Sequence, residues 1–211
     1  VISLGCVDLE DALRFQKDLV REVAEGASHA LILCEHPLTI TLGRASHEEN
    51  IFLSRQGLAD RGVKALAVDR GGDVTLHMPG QLVFYPVVDL KRVGRDIRSY
   101  LQKLEQVGVD LLGEFAIVAK GDDGRRGLWV DGEKIASIGI GLSRWTTYHG
   151  MALNVNTDLS LFRMIRPCGL DVRMTSLQKI TGREIDMPDV FRLAEERFLN
   201  VFAFKKFTRH A

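Results

Sequence analysis

Residues 127–142 read GLWVDGEKIASIGIGL and decide the fold prediction. The dipeptide Asp131-Gly132 lies between two runs with strand-forming residues, and such a pair favours the two-residue turn of a β-hairpin. The second run starts near Lys134 and carries small residues at alternate positions in its later half. We therefore predict an antiparallel hairpin in which Lys134 lies just beyond the turn.

Short apolar runs on both sides of this hairpin predict further strands. They cover residues 29–36, 38–43, 63–69, 73–78, 81–90 and 146–156, with a candidate closing strand at 204–210. Helical spacing predicts helices at 8–26, 94–115 and 187–204, a short helix or turn at 54–62, and a helix over 175–182 that opens with a Thr175–Gln178 capping box. Clustered strands with helices between them indicate an α+β fold, a mixed or antiparallel sheet with packed helices, built as one domain over residues 1–211.

The composition argues against several classes of protein. The chain has 211 residues with 28 Lys and Arg against 28 Asp and Glu, so its formal net charge is zero, whereas nucleic-acid binders usually carry a basic excess. No apolar run approaches the ~20 residues of a membrane span, and the first residues lack the pattern of a signal peptide. The three cysteines, Cys6, Cys34 and Cys168, form no C-x-x-C pair. We therefore expect a reducing, cytoplasmic location without a disulfide framework.

Cys168 lies in the stretch MIRPCGLDVRM, residues 164–174. Proline before it and glycine after it shape a corner of the chain. The thiol is either a buried structural group or a nucleophile held out for attack. A nucleophilic thiol needs a cation or a helix N-terminus to lower its pKa, and Arg166 and Arg173 are close in sequence. The local sequence leaves both interpretations open.

Residues 70–81, RGGDVTLHMPGQ, combine two tight turns with polar side chains. Gly71-Gly72 permits a close approach of the backbone to a ligand, and His77 lies between the two turns. The stretch is either a ligand cradle or a turn-rich connection with a hydrogen-bonded histidine. It is not a phosphate-binding P-loop, because it lacks the G-x-x-x-x-G-K-[ST] pattern.

His149 directly precedes Gly150, and it is either a hydrogen-bonded core histidine or part of a site. His77, His149 and Cys168 have a spacing that matches no zinc pattern, so we expect no metal ion.

Lys134 allows two interpretations. It is either a solvated side chain after a turn or, if its strand lines a pocket, a desolvated amine whose pKa is lowered by burial.

The start and polar face of the 94–115 helix are basic. This charge is either a solvated face or a docking surface for an acidic partner protein, and it comes from Lys91, Arg92, Arg95, Arg98 and Lys103.

Four motifs, in this order, resemble the octanoyltransferases that initiate lipoate assembly: RGGDVTLHMPGQ (70–81), GEKIASIG (132–139), HGMALNVN (149–156) and PCG (167–169). The similarity runs roughly from residue 36 to residue 170. It implies a fold like the catalytic domains of biotin and lipoate protein ligases. The implied reaction moves an octanoyl group from octanoyl-acyl carrier protein to a lysine of lipoyl domains, those of 2-oxoacid dehydrogenases and of the glycine cleavage H protein, with no cofactor. We expect a monomer.

The resemblance also implies roles for individual residues. Cys168 is the acyl-thioester nucleophile, and Lys134 is the residue that activates it. The implied acyl-binding positions are Arg70, Gly71, Gly72, Asp73, Val74, Thr75, Leu76, His77, Ser137, Ile138, Gly139, Gly150, Met151 and Ala152.

One position departs from the family pattern. The family usually reads HGPGQ where this chain reads HMPGQ, so Met78 replaces a glycine and puts in doubt any need for a positive φ there. Methionine could instead add apolar lining for an acyl chain.

An ATP-dependent lipoate or biotin ligase would not need Cys168, and a cysteine hydrolase would use it with His77 or His149. A third alternative is a non-catalytic module that binds lipoyl domains or carrier proteins.

Overall fold

The computed structural model describes residues 1–122, 124–167 and 172–204, and within these ranges it contains ten strands and five α-helices. Strands β1 to β10 are Ile2–Cys6, Ala30–Glu35, Thr39–Leu42, Lys64–Ala67, Val74–His77, Gln81–Val87, Lys120–Gly121, Gly127–Val130, Glu133–Ser143 and Thr146–Asn154. Helices α1 to α5 are Leu9–Ala24, Arg55–Ala59, Ile97–Gly113, Leu177–Thr181 and Met187–Val201. Of these described helices, none has the length and apolar character needed to cross a bilayer.

The strands form two sheets. The larger has the order β1-β2-β6-β10-β9-β8-β7, in which only the β1–β2 pair is parallel, and the smaller has the order β4-β3-β5. This arrangement confirms the predicted mixed sheet with helices. The short parallel strand β1 is not among the strands that the sequence predicts.

The hairpin at residues 127–142 is confirmed. Asp131 and Gly132 both have positive φ, 49° and 81°, which is the conformation of a type I′ turn between β8 and β9. β9 then pairs with β10 over eight residues, from Ala136 opposite Leu153 to Ser143 opposite Thr146. These two long strands form the centre of the larger sheet.

Helices cover both faces of the larger sheet. On one face, α3 and α5 pack with the sheet in the main core, through side chains such as Leu104, Phe198 and Phe84. On the other face, α1 contributes Ala12 to a smaller cluster with Tyr85 and other residues of the sheet. The smaller sheet has its own core. It lies on the second face, where side chains from both sheets line one cavity.

The N-terminal cap of α4 differs from the predicted one. The Thr175–Gln178 capping box is wrong: the Ser176 hydroxyl caps α4 by accepting from the Lys179 N–H at 3.1 Å. Thr175 is not the cap because its own N–H donates to the Lys134 carbonyl at 2.9 Å, which ties it to β9. The candidate strand at 204–210 lies, apart from Phe204, outside the residues that the structure describes.

Candidate active site

The floor of the candidate site consists of small residues on two paired strands. Gly139 of β9 lies opposite Gly150 of β10, and Ser137 lies opposite Ala152. Because paired residues share a face of a sheet, these four positions form one shallow strip. A narrow cavity of about 40 Å³ lies over it, and Ile138 and Met151 also contribute to its lining. The structure thus brings together all six predicted positions of these two motifs.

The opposite wall comes from the smaller sheet. Of the eight predicted positions between 70 and 77, four line the cavity: Arg70, Gly72, Thr75 and His77. Val74 and Leu76 belong to the core of the smaller sheet, as the two-residue alternation of a strand requires. That alternation was available in the sequence and separates lining residues from core residues in this motif.

Gly71 and Asp73 hold the turn in place rather than line the cavity. The Gly71 N–H donates to the Ile140 carbonyl at 2.8 Å, which joins the two walls. The Asp73 carboxylate accepts from the Asn50 side-chain amide at 2.5 Å and from the His47 N–H at 3.1 Å. Asp73 therefore anchors the 47–50 segment to the start of β5.

Arg70 places a buried cation at the cavity. Its guanidinium donates to the Thr41 carbonyl at 2.9 Å, to the Thr41 hydroxyl at 2.8 Å and to the Gly71 carbonyl at 3.0 Å. A Cβ at position 139 would lie 2.7 Å from the Gly71 carbonyl oxygen and 3.2 Å from Arg70 Cδ. Glycine at 139 is therefore what allows β9 to approach this wall so closely.

The two candidate histidines line the cavity, and both are hydrogen-bonded. His77 Nδ1 donates to the Gln81 side-chain carbonyl at 3.0 Å, and burial lowers the pKa of His77 well below its usual value. His149 Nε2 donates to the Asp69 carboxylate at 3.2 Å, and burial lowers the pKa of His149 as well. Both side chains are therefore neutral at neutral pH. They combine the core-histidine interpretation with a place at the cavity wall.

His149 also has a strained backbone. Its φ is 55°, which non-glycine residues rarely adopt, and its N–H donates to the buried Gln16 side chain of α1 at 2.7 Å. No local pattern predicts this contact, because Gln16 is 133 residues away in the chain.

A β-bulge directs Lys134 toward the cavity side of the sheet. Trp129 lies opposite Lys134 and Leu128 opposite Ala136, so Ile135 is an extra residue on β9. The extra residue places Lys134 on the same face as Ser137. A Cβ at Gly127, the partner of Ser137, would come within 2.7 Å of Lys134 Cε. Lys134 is fully buried, with its ammonium 5.5 Å from the centre of the Trp129 ring. Its solvated interpretation is therefore wrong.

Cys168 lies outside the described residues, but the chain on both sides of it is well anchored. Before it, the Arg166 N–H donates to the Asn50 carbonyl at 2.7 Å. After it, the Arg173 carbonyl accepts from the Lys134 N–H at 2.8 Å. Of the described residues on the two sides of the candidate nucleophile, Arg173 is thus hydrogen-bonded directly to the backbone of the candidate activating lysine.

Met78 has no role at the cavity wall. Its side chain is buried in the core of the smaller sheet with Leu76 and Phe162, and it does not line the cavity. It is not among the residues with positive φ, whereas Gly80, two residues later, has a φ of 81°. Methionine is therefore compatible with this turn.

Within residues 1–122, 124–167 and 172–204, no cluster of His, Cys, Asp or Glu could hold a metal ion.

Most of the basic residues around α3 are engaged within the molecule. Arg92 donates to the Ala27 carbonyl, Lys91 pairs with Asp89, Arg95 stacks on Trp145, and Lys103 lies over Phe202. Only Arg98 of this group has no such contact within the described part of the chain. These contacts favour a structural, solvated face over a docking surface.

Known proteins share both the sequence and the fold. The family of lipoyl protein ligase A/B catalytic domains matches residues 8–199. An octanoyltransferase of Geobacter metallireducens is 46% identical over 198 residues, which are 93% of this chain and 90% of that protein.

Two solved structures confirm the fold. A lipoate-protein ligase A bound with ATP superposes with a TM-score of 0.83 at 15% identity, over all of this chain and 88% of that one. A biotin protein ligase from Aquifex aeolicus gives a TM-score of 0.56 at 14% identity, over 96% of this chain and 69% of that one. At such identities these structures speak for the fold alone. The match to the family and the close octanoyltransferase relative place this chain in the lipoyl protein ligase A/B family, as an acyltransferase that transfers octanoyl groups in lipoate biosynthesis.

Proposed function

We propose that the chain moves an octanoyl group from octanoyl-acyl carrier protein to a lysine of lipoyl domains through a thioester on Cys168. The observation that carries this proposal is the placement of Lys134. It is fully buried, a bulge turns it to the face of the small-residue floor, and its backbone pairs with Arg173. A buried ammonium needs a compensating partner, and we propose that the Cys168 thiolate is the partner that matters for the reaction.

In the first step, the Cys168 thiolate attacks the carbonyl carbon of the donor thioester. A new carbon–sulfur bond forms, and the bond to the carrier's sulfur breaks. The departing thiolate takes a proton from the Lys134 ammonium, so the step leaves an octanoyl-enzyme, a free carrier thiol and a neutral Lys134. One thioester replaces another, so this step is nearly isoenergetic.

In the second step, the amine of the acceptor lysine attacks the octanoyl-enzyme. A carbon–nitrogen bond forms, the carbon–sulfur bond breaks, and the Cys168 thiolate returns. The neutral Lys134 takes the proton that the amine loses, which restores the ammonium for the next cycle. Formation of an amide from a thioester is downhill and draws the reaction forward.

We place the acyl chain over the floor formed by Ser137, Gly139, Gly150 and Ala152. Each buried CH₂ contributes ~0.8 kcal/mol, so an eight-carbon chain gains on the order of 5 kcal/mol. The cavity over this strip is narrow, about 40 Å³, and we propose that side chains at its walls move apart when the chain enters.

We also propose that residues 1–211 act as one catalytic domain and as a monomer. Both walls of the cavity, its floor and Lys134 come from a single chain. A second copy is not required to complete this site.

The test is intact-mass spectrometry of the protein mixed with octanoyl-acyl carrier protein, before and after addition of a lipoyl domain. We expect an octanoyl adduct that disappears when the acceptor is added and that Cys168→Ala does not form. Lys134→Ala should slow formation of the adduct by 10²-fold or more, on the order of a lost general acid–base. Lys134→Arg keeps the charge but cannot exchange a proton, so it should not restore the second step.

Three results would contradict the proposal. An adduct that survives in Cys168→Ala excludes that thiol as the nucleophile. A transfer that requires ATP favours the ligase alternative, and release of free octanoate without transfer favours the hydrolase.

A further inference from the structure

A second cleft, of about 500 Å³, borders both ends of the segment that contains Cys168. Pro167 and Val172, the described residues on either side of that segment, line it together with the exposed ring of Phe52. None of its lining residues is shared with the narrow cavity over the small-residue floor. The two spaces can therefore hold different parts of a substrate.

The cleft is strongly basic. Its charged lining consists of Glu133 and four cations, Arg163, Arg166, Arg173 and Lys179. Lys179 pairs with Glu133 at 2.6 Å, whereas the three arginines have no ion pair with a carboxylate in the described part of the chain. All three are exposed. Several like charges around a concave surface create a field that attracts an anionic partner.

The cleft also adjoins the candidate nucleophile along the chain. Pro167, which lines the cleft, directly precedes Cys168 in the sequence. The Arg166 guanidinium lies 5.5 Å from the centre of the Phe52 ring, and 54% of Phe52 is exposed. An aromatic ring beside an arginine is a typical composition for a protein-binding site.

We propose that this cleft docks the acyl carrier protein that donates the octanoyl group, an inference that rests on the proposed function. The carrier holds its acyl group on an arm linked through a phosphodiester, and the planar guanidinium groups of arginine match phosphate oxygens. Phe52 provides an apolar surface for the arm.

The acceptor fits this cleft less well. Its reactive group is a lysine, which is a cation until it loses a proton, and three arginines repel it. Around α3, four of the five basic residues make contacts within the described part of the chain. In the cleft, Arg166 lies over Phe52, whereas Arg163 and Arg173 form no ion pair with the described residues. The cleft is therefore the better docking surface for an anionic donor.

The test compares two donors in steady-state kinetics at low salt. Octanoyl-acyl carrier protein has both the protein surface and the phosphate, whereas octanoyl-pantetheine has neither. The test variant is Arg163→Glu combined with Arg166→Glu. Arg163→Lys combined with Arg166→Lys preserves the charge, and Arg98→Glu reverses an exposed charge on α3.

We expect the double glutamate variant to raise the KM for octanoyl-acyl carrier protein about tenfold or more, and to flatten its salt dependence. Its KM for octanoyl-pantetheine and its KM for the lipoyl domain should stay near those of the unmodified protein. Arg98→Glu should keep a normal KM for the carrier. The double lysine variant keeps the charge but loses the planar guanidinium groups, so its KM should lie between those of the unmodified protein and the double glutamate variant. Activity with octanoyl-pantetheine also reports that the double variant is folded.

An unchanged KM for the carrier in the double glutamate variant would overturn the inference. So would a rise confined to the KM for the lipoyl domain, which would assign the cleft to the acceptor. Failure of the unmodified protein to form an acyl adduct from either donor would instead refute the proposed function.

Discussion

Gly127 and Lys134 illustrate how single residues position the candidate site. The Gly127 φ is 137°, and a Cβ there would lie 2.2 Å from the Ala136 carbonyl oxygen and 2.7 Å from Lys134 Cε. The absence of a side chain at position 127 thus leaves the space in which the aliphatic part of Lys134 crosses β8. Any side chain at 127 has to displace either the β9 backbone or Lys134 itself.

Gly127→Ala should therefore reduce octanoyl transfer by about 100-fold, because a reactive group displaced by about 1 Å loses that much rate. Gly132→Ala is the matched control. Gly132 also has a positive φ, 81°, but a Cβ there meets no atom within 4 Å. Both variants should lose about 1 kcal/mol or more of stability through backbone strain.

The measurement is the rate of octanoyl-enzyme formation at a temperature where thermal melts show both variants folded. Equal rates in the two variants would mean that the route of Lys134 across Gly127 has no role in the reaction.

The sequence left the state of Lys134 open for a physical reason. A lysine after an Asp-Gly turn is usually solvated, and the turn itself was predictable from two residues. The bulge at Ile135 that buries the lysine depends on the register between β8 and β9. Register is set by side-chain packing across the sheet, which a local pattern does not contain.

At the scale of secondary-structure elements, the paired strands β9 and β10 form the floor of the candidate site with small residues from both strands. The resemblance to the octanoyltransferases implied the six positions 137–139 and 150–152, and the structure places them side by side. The alternation along β5 was equally predictable, since Thr75 and His77 face the cavity while Val74 and Leu76 face the core. The family motifs and the alternation along β5 together thus identify which residues of these strands line the cavity.

Ser137→Leu should shorten the acyl chain that the floor accepts, because the added carbons fill space over the strip. We expect a raised KM for octanoyl-pantetheine and a relative gain for butanoyl- and hexanoyl-pantetheine. Ser137→Ala changes the polarity but adds no volume, so it should keep the chain-length profile of the unmodified protein. A profile that is the same in both variants would place the acyl chain elsewhere.

The partition of the strands between two sheets belongs to the whole molecule. The runs at 29–36 and 38–43 look like neighbours that should pair, yet β2 joins the larger sheet and β3 the smaller. The connection at His36-Pro37 turns the chain from one sheet to the other. The sequence predicts this break in the strand but not its consequence, because the pairing partners of β2 and β3 lie 25 or more residues away. Because the candidate site lies between the two sheets, its assembly likewise depends on these long-range pairings and not on local sequence patterns.

Folding also keeps four histidines in the neutral state: His36, His77 and His149 near the cavity between the sheets, and His29 beside Phe204 and Arg92. Burial lowers the pKa of His36, His77 and His149, and it lowers the pKa of His29 to about 4. In the unfolded chain each histidine binds a proton near its ordinary pKa of 6.5. Below that pH the unfolded state therefore binds more protons than the folded state, and the free energy of unfolding falls as the pH falls.

We expect the free energy of unfolding, measured by urea denaturation, to be level above pH 7 and to decline from about pH 6.5 toward pH 4.5. Each such histidine contributes at most ~1.4 kcal/mol per pH unit to the slope. The carboxyl group of Asp69, whose pKa is lowered by its hydrogen bond from His149, loses its contribution only in more acidic solution, below its ordinary value of 3.8. The pKa values of Glu133, Asp8 and Asp122 are also lowered, by hydrogen bonds from Lys179, Lys64 and Arg125, and these groups affect stability near and below their ordinary values of 4.5 and 3.8. The part of the interval above about pH 5.5 therefore reports mainly on the histidines.

His36→Gln tests the assignment, because it removes one buried titrating group that lies 2.9 Å from the Tyr85 hydroxyl. The variant should be less stable at pH 7.5 but should show a smaller slope between pH 6.5 and pH 4.5. His47→Gln removes an exposed histidine and should leave the slope unchanged. A free energy that is constant across the interval, or a His36→Gln slope equal to that of the unmodified protein, would mean that the histidines take up protons in the folded state. In that case the walls of the cavity admit water, and a dry site for the acyl chain would lose its physical basis.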